Sequence, residues 1–436
     1  MEVIVAVDKN FGIGKNNSLP WRIPSELRIF KEKTMNNVVV FGRKTFESLP
    51  KLKNRICYSL SRSNKELTLE NILSVYSDKL VKVFVGGGSE IYRSAFESGL
   101  VKKVHMSMIN EEYDCDTYFE KKWLRNFLII EKHKYEDFTH YVMEYSSSGE
   151  QQYLNILRDV LTRGARREGR NGLTLSTFCN HLSFDLRKGF PLITTKKMFL
   201  RGIVEELLFF LRGETDSKIL EDKKVNIWKG NTSREFLDSV NQQERKEGLL
   251  GPLYGFQFRS AGAEYCEESG APIGEGIDQL KEVIDLIRND PNSRRILMTT
   301  YNVQQVKSGV LYPCHSLILQ FYVDGNYIDM YCYNRSSDLF LGLPFNIASS
   351  SLLLEIIAKT TDKIARYFHL SLGDSHIYEA HLDVVEEQIL RMPFKFPTLN
   401  ISKELNNVED IEKLSYEDFI CTDYNSHKRL KADMIA

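Results

Sequence analysis

One cysteine and a set of arginines carry the strongest chemical suggestion in this sequence. Cys314 lies in Tyr312-Pro313-Cys314-His315, just before a stretch that reads as a strand. A thiol beside a histidine is a candidate nucleophile. Taken alone, such a segment more often reflects packing, because free cysteine is among the most buried residue types. Arg170, Arg294, Arg295 and Arg335 change the balance, since each sits in a polar segment containing Gly, Asn or Ser. Guanidinium groups grip a phosphate in a fork and would lower the pKa of a nearby thiol. Ser293-Arg294-Arg295-Ile296 also enters a strand, an unusual place for adjacent charges unless something pairs them. An exposed edge strand is the ordinary reading.

A second set lies in the first third of the chain. Gly12-Ile13-Gly14-Lys15-Asn16-Asn17 is a turn-rich loop that could lie over a ligand. Pro24 and Ser25 mark a helix start, which puts Glu26 in the first turn and Phe30 one turn further on the same face. Beside an aromatic and Trp21, a carboxylate can be desolvated, and its pKa then rises. Such a group suits proton delivery to a ring nitrogen. The ordinary reading is that Glu26 complements the helix dipole. Gly42-Arg43-Lys44-Thr45 follows one strand and opens a helix whose N–H groups could hold a phosphate. Val85-Gly86-Gly87-Gly88-Ser89 follows another, and its glycines permit close approach to a cofactor. Ser61-Arg62 ends a further strand, where a lone arginine is usually just surface.

The elements that must position these residues fall into two styles. Over residues 1–145, short apolar runs at 3–7, 38–41, 81–85 and 104–109 alternate with helical stretches. That pattern predicts an α/β domain with a mostly parallel sheet. Ser146-Ser147-Ser148-Gly149 breaks it, so a short linker is expected at 146–150. Residues 151–436 read as an α+β domain. Helical periodicity covers 153–162 and 202–211, and strands at 317–323 and 327–332 are joined at Asp324-Gly325. An apolar helix is expected after Pro344, from about 347 to 358.

Composition narrows the function classes. The net charge is −1, so no global field draws a polyanion, and no basic stretch with interleaved aromatics supports nucleic-acid binding. The 7 cysteines show no CxxC pair and no metal spacing, which points away from a disulfide framework or zinc and towards a reducing compartment. The chain opens directly on a strand without a basic leader, and no apolar run approaches the roughly 20 residues of a membrane helix. A cytoplasmic enzyme without a metal is expected.

In order and spacing, Gly12-Ile13-Gly14-Lys15, Leu19-Pro20-Trp21, Gly42-Arg43-Lys44-Thr45, Leu52-Lys53-Asn54-Arg55, Ser61-Arg62, Gly87-Gly88-Ser89 and Asp116-Thr117 resemble dihydrofolate reductase. The resemblance implies that Glu26 binds the pteridine and supports protonation of N5, with Ser107 where a hydroxyl bonds that carboxylate. It implies folate contacts at Trp21, Phe30, Leu49 and Arg55, the last to the α-carboxylate. NADPH contacts are implied at Gly14, Arg43, Lys44, Thr45, Ser61, Arg62, Gly87, Gly88 and Ser89, and an arginine beside the 2′-phosphate would select NADP over NAD. Gly86 departs from the Ile or Val usual in the pterin pocket, so extra room is expected there. A synthase carrying a degenerate, structural reductase module is the alternative that Gly86 motivates. Glu26, Arg55 and Arg62 argue against it.

From about residue 151 onward, Phe190-Pro191-Leu192-Ile193-Thr194-Thr195-Lys196, Pro313-Cys314-His315, Asn334-Arg335-Ser336-Ser337-Asp338, Leu343-Pro344-Phe345-Asn346-Ile347-Ala348-Ser349 and Gly373-Asp374-Ser375-His376-Ile377-Tyr378 resemble thymidylate synthase. A reductase ahead of a synthase is the arrangement of the fused protozoan and plant enzymes. The resemblance implies a catalytic Cys314 that attacks C6 of deoxyuridylate (dUMP), with His315 beside it and Glu206 moving protons through water. Methylenetetrahydrofolate would be the one-carbon donor. Arg170, Arg335 and Ser336 would hold the phosphate, His376 and Tyr378 the ribose, and Asn346 the uracil. Arg294 and Arg295 would reach the phosphate bound by a partner subunit, which implies a homodimer. Trp228, Asp338 and the C-terminal Ala436 would contact the folate. The Arg170 loop is one residue shorter than the family pattern and the Cys314-to-Gln320 interval one longer. A one-residue slip reverses strand faces, so a bulge is expected near 317–319.

Overall fold

The computed structural model describes residues 1–61, 67–76, 80–145, 149–169 and 171–435. The chain divides into two units, Met1–Ser147 with Met392–Lys395, and Ser148–Arg391 with Phe396–Ala436.

The first unit runs β1 (Glu2–Val7), β2 (Gly12–Gly14), α1 (Pro24–Thr34), β3 (Val38–Gly42), α2 (Arg43–Ser48), β4 (Ile56–Leu60), α3 (Leu69–Tyr76), β5 (Val83–Gly87), α4 (Ser89–Glu97), β6 (Lys103–Ile109), β7 (Thr117–Tyr118), β8 (Phe127–Lys134) and β9 (Phe138–Tyr145). Seven strands form one sheet in the order β4-β3-β5-β1-β6-β9-β8. β4 to β6 are mutually parallel within it, and β9 and β8 add an antiparallel edge. Val3, Val5, Val7, Val38 and Val40 face one core, while Ile4, Val39, Phe41 and Phe84 face another. A sheet covered on both faces explains why these strands read as unbroken apolar runs.

The second unit contains α5 (Glu150–Arg163), β10 (Ala165–Gly169), β11 (Gly172–Asp185), α6 (Leu200–Leu211), α7 (Lys218–Asp222), α8 (Arg234–Ser239), α9 (Gly255–Ser260), β12 (Glu264–Tyr265), β13 (Pro272–Ile273), α10 (Gln279–Asn289), β14 (Leu297–Thr299), β15 (Ile318–Asp324), β16 (Tyr327–Asp338), α11 (Gly342–Thr360) and β17 (Ile364–Tyr378). A six-stranded sheet in the order β10-β11-β17-β16-β15-β14 is antiparallel except for the β16–β17 pair. The amphipathic helix α5 and the apolar helices α6 and α11 supply much of one extended core with it.

Three expectations need correction. The linker does not extend to residue 150, because Glu150 already belongs to α5 and is fully buried. Its two oxygens accept from the N–H and hydroxyl groups of both Thr194 and Thr195, at 2.5–2.8 Å. The apolar helix begins at Gly342 rather than near 347, so Pro344 sits in its first turn, where a missing N–H costs no helical bond. No bulge occurs at 317–319, where β15 pairs with β14 and β16 in unbroken register. Irregular backbone comes just before the strand instead. Ser316 adopts φ 53° and its N–H donates to Asn334 Oδ1 at 2.9 Å.

Candidate active sites

In the first unit, the parallel strands deliver their C-terminal ends to a cleft of about 1180 Å³. The turns after β3 and β5 open α2 and α4 directly on it, so Arg43, Lys44 and Thr45 line one side and Gly87, Gly88 and Ser89 the next. Gly14, Glu26, Phe30, Leu49 and Ser61 complete the expected set within the lining. Pro24 starts α1, so Glu26 is held in the first helical turn. It is 5% exposed. Burial pushes its carboxyl up to about 7, and hydrogen bonding to Ser107 acts in the opposite direction. Trp21 and Ser107 are buried and Arg55 is half-buried, but none of the three lines the cleft. Trp21 packs on Tyr113 instead, with ring centroids 5.3 Å apart. Arg62 lies outside the described residues.

Gly86 does not leave the expected extra room. A Cβ at this position would stand 2.6 Å from Phe41 Cε1 and 3.1 Å from Val39 Cγ1. The Phe41 ring, 1% exposed, already fills that volume. Gly87 has φ 132°, a conformation that favours glycine, and leads into α4 through a cis Gly87–Gly88 bond.

In the second unit, Cys314 lies in the loop before β15. Its N–H donates to the Tyr254 hydroxyl at 3.1 Å, and that hydroxyl lies 3.6 Å from Sγ. Tyr254 is buried in an aromatic stack with His315 and Phe210, at centroid distances of 4.5 and 5.0 Å. The arginines do not lower this thiol's pKa overall. Burial pushes it up, the Tyr254 hydroxyl and Arg335 pull down less strongly, and the nearby Glu206 adds to the rise. Burial also holds His315 down to about 4, so its imidazole is neutral. Arg335 is exposed and is aimed by the carbonyls of Pro313 and Tyr312, at 3.2 and 3.4 Å.

Glu206 projects from α6 into the same region and accepts from Trp228 Nε1 at 2.8 Å. The parallel register places Ser336 beside Asp374 and Asp338 beside His376. Asp374 bonds His376 Nδ1 at 2.9 Å and Arg167 at 3.1 Å, and Tyr378 packs edge-on to His376. Asp338 Oδ1 accepts from the N–H groups of Phe340 and Leu341, ahead of α11. Asn346 is half-buried on α11, and its carboxamide takes no hydrogen bond among the described residues. Arg294 and Arg295 are exposed ahead of β14, and neither guanidinium has an ion pair among the described residues. Arg170 and Ala436 lie outside the described residues.

Comparison with known proteins matches this geometry domain by domain. The dihydrofolate reductase family model matches residues 1–148, and the thymidylate synthase model residues 151–436. The bifunctional dihydrofolate reductase-thymidylate synthase of Zea mays is 36% identical over 505 residues, covering 99% of this chain and 96% of that one. The chain belongs to the bifunctional dihydrofolate reductase–thymidylate synthase family. The enzyme of that name from Paramecium tetraurelia is 36% identical, covering 99% of this chain and 98% of its own. That of Plasmodium berghei (strain Anka) is 34% identical, covering 92% and 83%. The chain is thus both an NADPH-dependent oxidoreductase and a methyltransferase.

The reductase cleft fits NADPH. Gly88 lies where a Cβ would meet Thr45 Oγ1 at 3.0 Å, and two helix N-termini with Arg43 and Lys44 face the same space. Among the described residues no group of three or more His, Cys, Asp or Glu is placed to hold a metal, and no helix is long and apolar enough to cross a membrane. Sequence reasoning assigned Tyr254 no role, although Leu253-Tyr254-Gly255 stands out as a polar-tipped aromatic between glycines.

The synthase Glu206 gives a stability test. Burial pushes its carboxyl from about 4.5 up to about 7, against the Trp228 bond. The folded chain therefore holds a proton that the unfolded chain releases near 4.5. The stability from this protonation is full below about 4.5 and is lost as pH rises through about 7. Glu206→Gln keeps the acceptor for Trp228 and removes the ionisable group. It should stabilise the chain by up to roughly 3 kcal/mol above neutral pH and by little at acid pH. Calorimetry at about pH 5 and about pH 8 checks this; a stabilisation independent of pH would contradict it.

Proposed function

We propose that the reductase site uses Glu26 as its proton source and the synthase site uses Cys314 as its nucleophile. The observation that carries the reading is a pair of buried carboxyls, Glu26 in the reductase cleft and Glu206 beside Cys314, both pushed up to about 7. A carboxyl held near neutrality can deliver and recover a proton at working pH. In the reductase, Glu26 directs its proton towards N5 of a pteridine bounded by Phe30 and Leu49, with Trp21 and Arg55 completing the folate site. Gly14, Arg43, Lys44, Thr45, Ser61, Arg62, Gly87, Gly88 and Ser89 would hold NADPH, which supplies the hydride when bound. The Phe41 ring fills the volume beside Gly86 and removes the motive for reading this domain as degenerate.

In the synthase, Cys314 Sγ adds to C6 of dUMP, and C5 takes the one-carbon unit of methylenetetrahydrofolate. Cys314 leaves after C5 loses its proton and a hydride from the folate completes the methyl group. The Tyr254 hydroxyl can donate to the developing thiolate, and Glu206 moves protons at the base. A phosphate dianion is gripped by Arg170, Arg335 and Ser336, the ribose by His376 and Tyr378, and the folate by Trp228, Asp338 and Ala436. The chain works as a homodimer through the outer face of the synthase sheet. Leu297, Ile318, Tyr322 and Tyr331 share that face by strand register and are exposed, an apolar surface that a second copy would cover. Arg294 and Arg295 precede its edge strand, where they can serve the partner's phosphate site. Unpaired cysteines support a reducing compartment such as the cytosol.

Base selection tests the synthase reading. The free carboxamide of Asn346 can donate to uracil O4 and accept from N3–H, whereas cytosine presents the opposite pattern. An unpaired buried polar group costs about 1–3 kcal/mol, or roughly 10- to 100-fold in rate. Asn346→Asp should lose activity on dUMP and gain it, relatively, on deoxycytidylate. kcat/KM for both nucleotides decides; an unchanged ratio would remove Asn346 from base recognition.

A further inference from the structure

Alternate residues of a strand share a face, so Asp374, His376 and Tyr378 of β17 lie on one side of the synthase sheet. All three are half-buried, whereas Ser375 and Ile377 between them are fully packed on the other side. Asp374 Oδ1 lies 2.9 Å from His376 Nδ1. Its other oxygen accepts from Arg167 Nη1 of β10 at 3.1 Å. His376 Nε2 makes no hydrogen bond among the described residues. The imidazole is thus anchored through one nitrogen, and the other is left for a ligand.

We propose that Asp374 is a positioning residue that sets specificity in the synthase site: braced by Arg167, it keeps the ring proton of His376 on Nδ1, so that Nε2 meets the nucleotide as a bare acceptor and requires a 3′-hydroxyl that donates. The inference rests on the assignment of His376 to the ribose.

The bond to His376, then the charges of Arg167 and Arg335, hold the Asp374 carboxyl below the usual carboxylate range. An ionised carboxylate only accepts, so the hydrogen between it and Nδ1 belongs to the ring. A neutral imidazole has one ring proton, so Nε2 is left with a lone pair. dUMP carries phosphate on its 5′ oxygen and has no 2′ oxygen, so its one sugar hydroxyl is at 3′. That hydroxyl must donate to Nε2. A 3′-ether or 3′-ester has no proton to give and sets two lone pairs against each other. Deoxyuridylate with a substituted 3′ oxygen, as within a DNA strand, is therefore disfavoured by hydrogen-bond direction as well as by bulk.

The first test needs no variant fold. Nitrogen-15 NMR of the full chain labelled at histidine, on the alkaline side of the His376 titration, should show Nδ1 protonated and Nε2 bare. The resonances are assigned by their loss in His376→Ala. A proton on Nε2 overturns the proposal. The second test compares binding of dUMP and its 3′-O-methyl ether, without folate and so without turnover. In wild type the ether should bind about 10-fold or more weakly. In Asp374→Asn, Arg167 claims the amide oxygen, the NH₂ faces Nδ1, and the ring proton moves to Nε2. A hydroxyl and an ether can both accept that proton. The dUMP affinity should stay within about three-fold, while the preference over the ether falls several-fold. Adding Arg167→Met frees the amide to turn its oxygen to Nδ1 and should restore the wild-type preference. An unmoved preference in Asp374→Asn, or equal weakening of both ligands as a purely structural role would give, overturns the proposal. An unmoved preference in His376→Ala would instead remove His376 from the ribose, while the NMR would still judge the hold of Asp374 on its proton.

Discussion

Cys314→Ala should abolish synthase turnover and leave dihydrofolate reduction within about two-fold of wild type, and Glu26→Ala should do the reverse. The expected losses differ in size because the chemistry differs. Removing a covalent nucleophile takes away the only route to the C6 adduct, a loss of about 10⁴-fold or more. Removing a proton source leaves binding and hydride geometry intact and costs about 10²- to 10⁴-fold. The two residues also belong to separate units, each with its own core, so neither substitution reaches the other site by packing. Following NADPH oxidation and dUMP methylation on the same preparation decides the matter. Loss of both activities in either mutant, with the fold intact by circular dichroism, would sink the separation.

Mixing two dead synthases should yield a live one. Chains carrying Arg294→Ala and Arg295→Ala lack the arginines offered to a partner, and chains carrying Cys314→Ala lack the nucleophile. Each should be inactive on its own. In a heterodimer, one site has both an intact cysteine and intact arginines from the other chain, as a two-fold interface requires. With random exchange of equal amounts, about a quarter of wild-type activity is expected, since half the dimers are mixed and each holds one good site of two. No recovery after exchange is confirmed by tagged subunits would place Arg294 and Arg295 outside the partner's site.

Much of this architecture is legible in the residues, and the exceptions share a cause. The alternating sidedness of Val3, Ile4 and Val5 is invisible as pattern because both faces of β1 are covered, yet the run itself announces a buried parallel strand. The edge hairpin β8–β9 opens on the apolar Phe127, Leu128, Ile129 and Ile130 but then mixes Lys132, His133 and His140 with apolar residues, so its run covers only half of one strand. Pro344 looks like a boundary until the helix is seen to start two residues earlier. Glu26, Glu206 and Cys314 are visible through motif order. What local sequence cannot carry is the meeting of distant residues: Tyr254 over Cys314, Phe41 in the space beside Gly86, or Ser107 across from His140. Those contacts also decide the electrostatics. For Cys314, a charge count of nearby arginines predicts a depressed pKa, whereas burial dominates.

The anchoring of Glu150 limits where the two catalysts could be parted by protease or by gene dissection. A synthase fragment starting at Gln151, where the family match begins, would lack one carboxylate and leave two threonine hydroxyls and two backbone N–H groups without their buried acceptor. Each such orphan costs about 1–3 kcal/mol, enough in sum to match the whole stability of many domains. The smallest viable fragment therefore begins no later than Glu150, and the fusion point has tolerance on its amino side only.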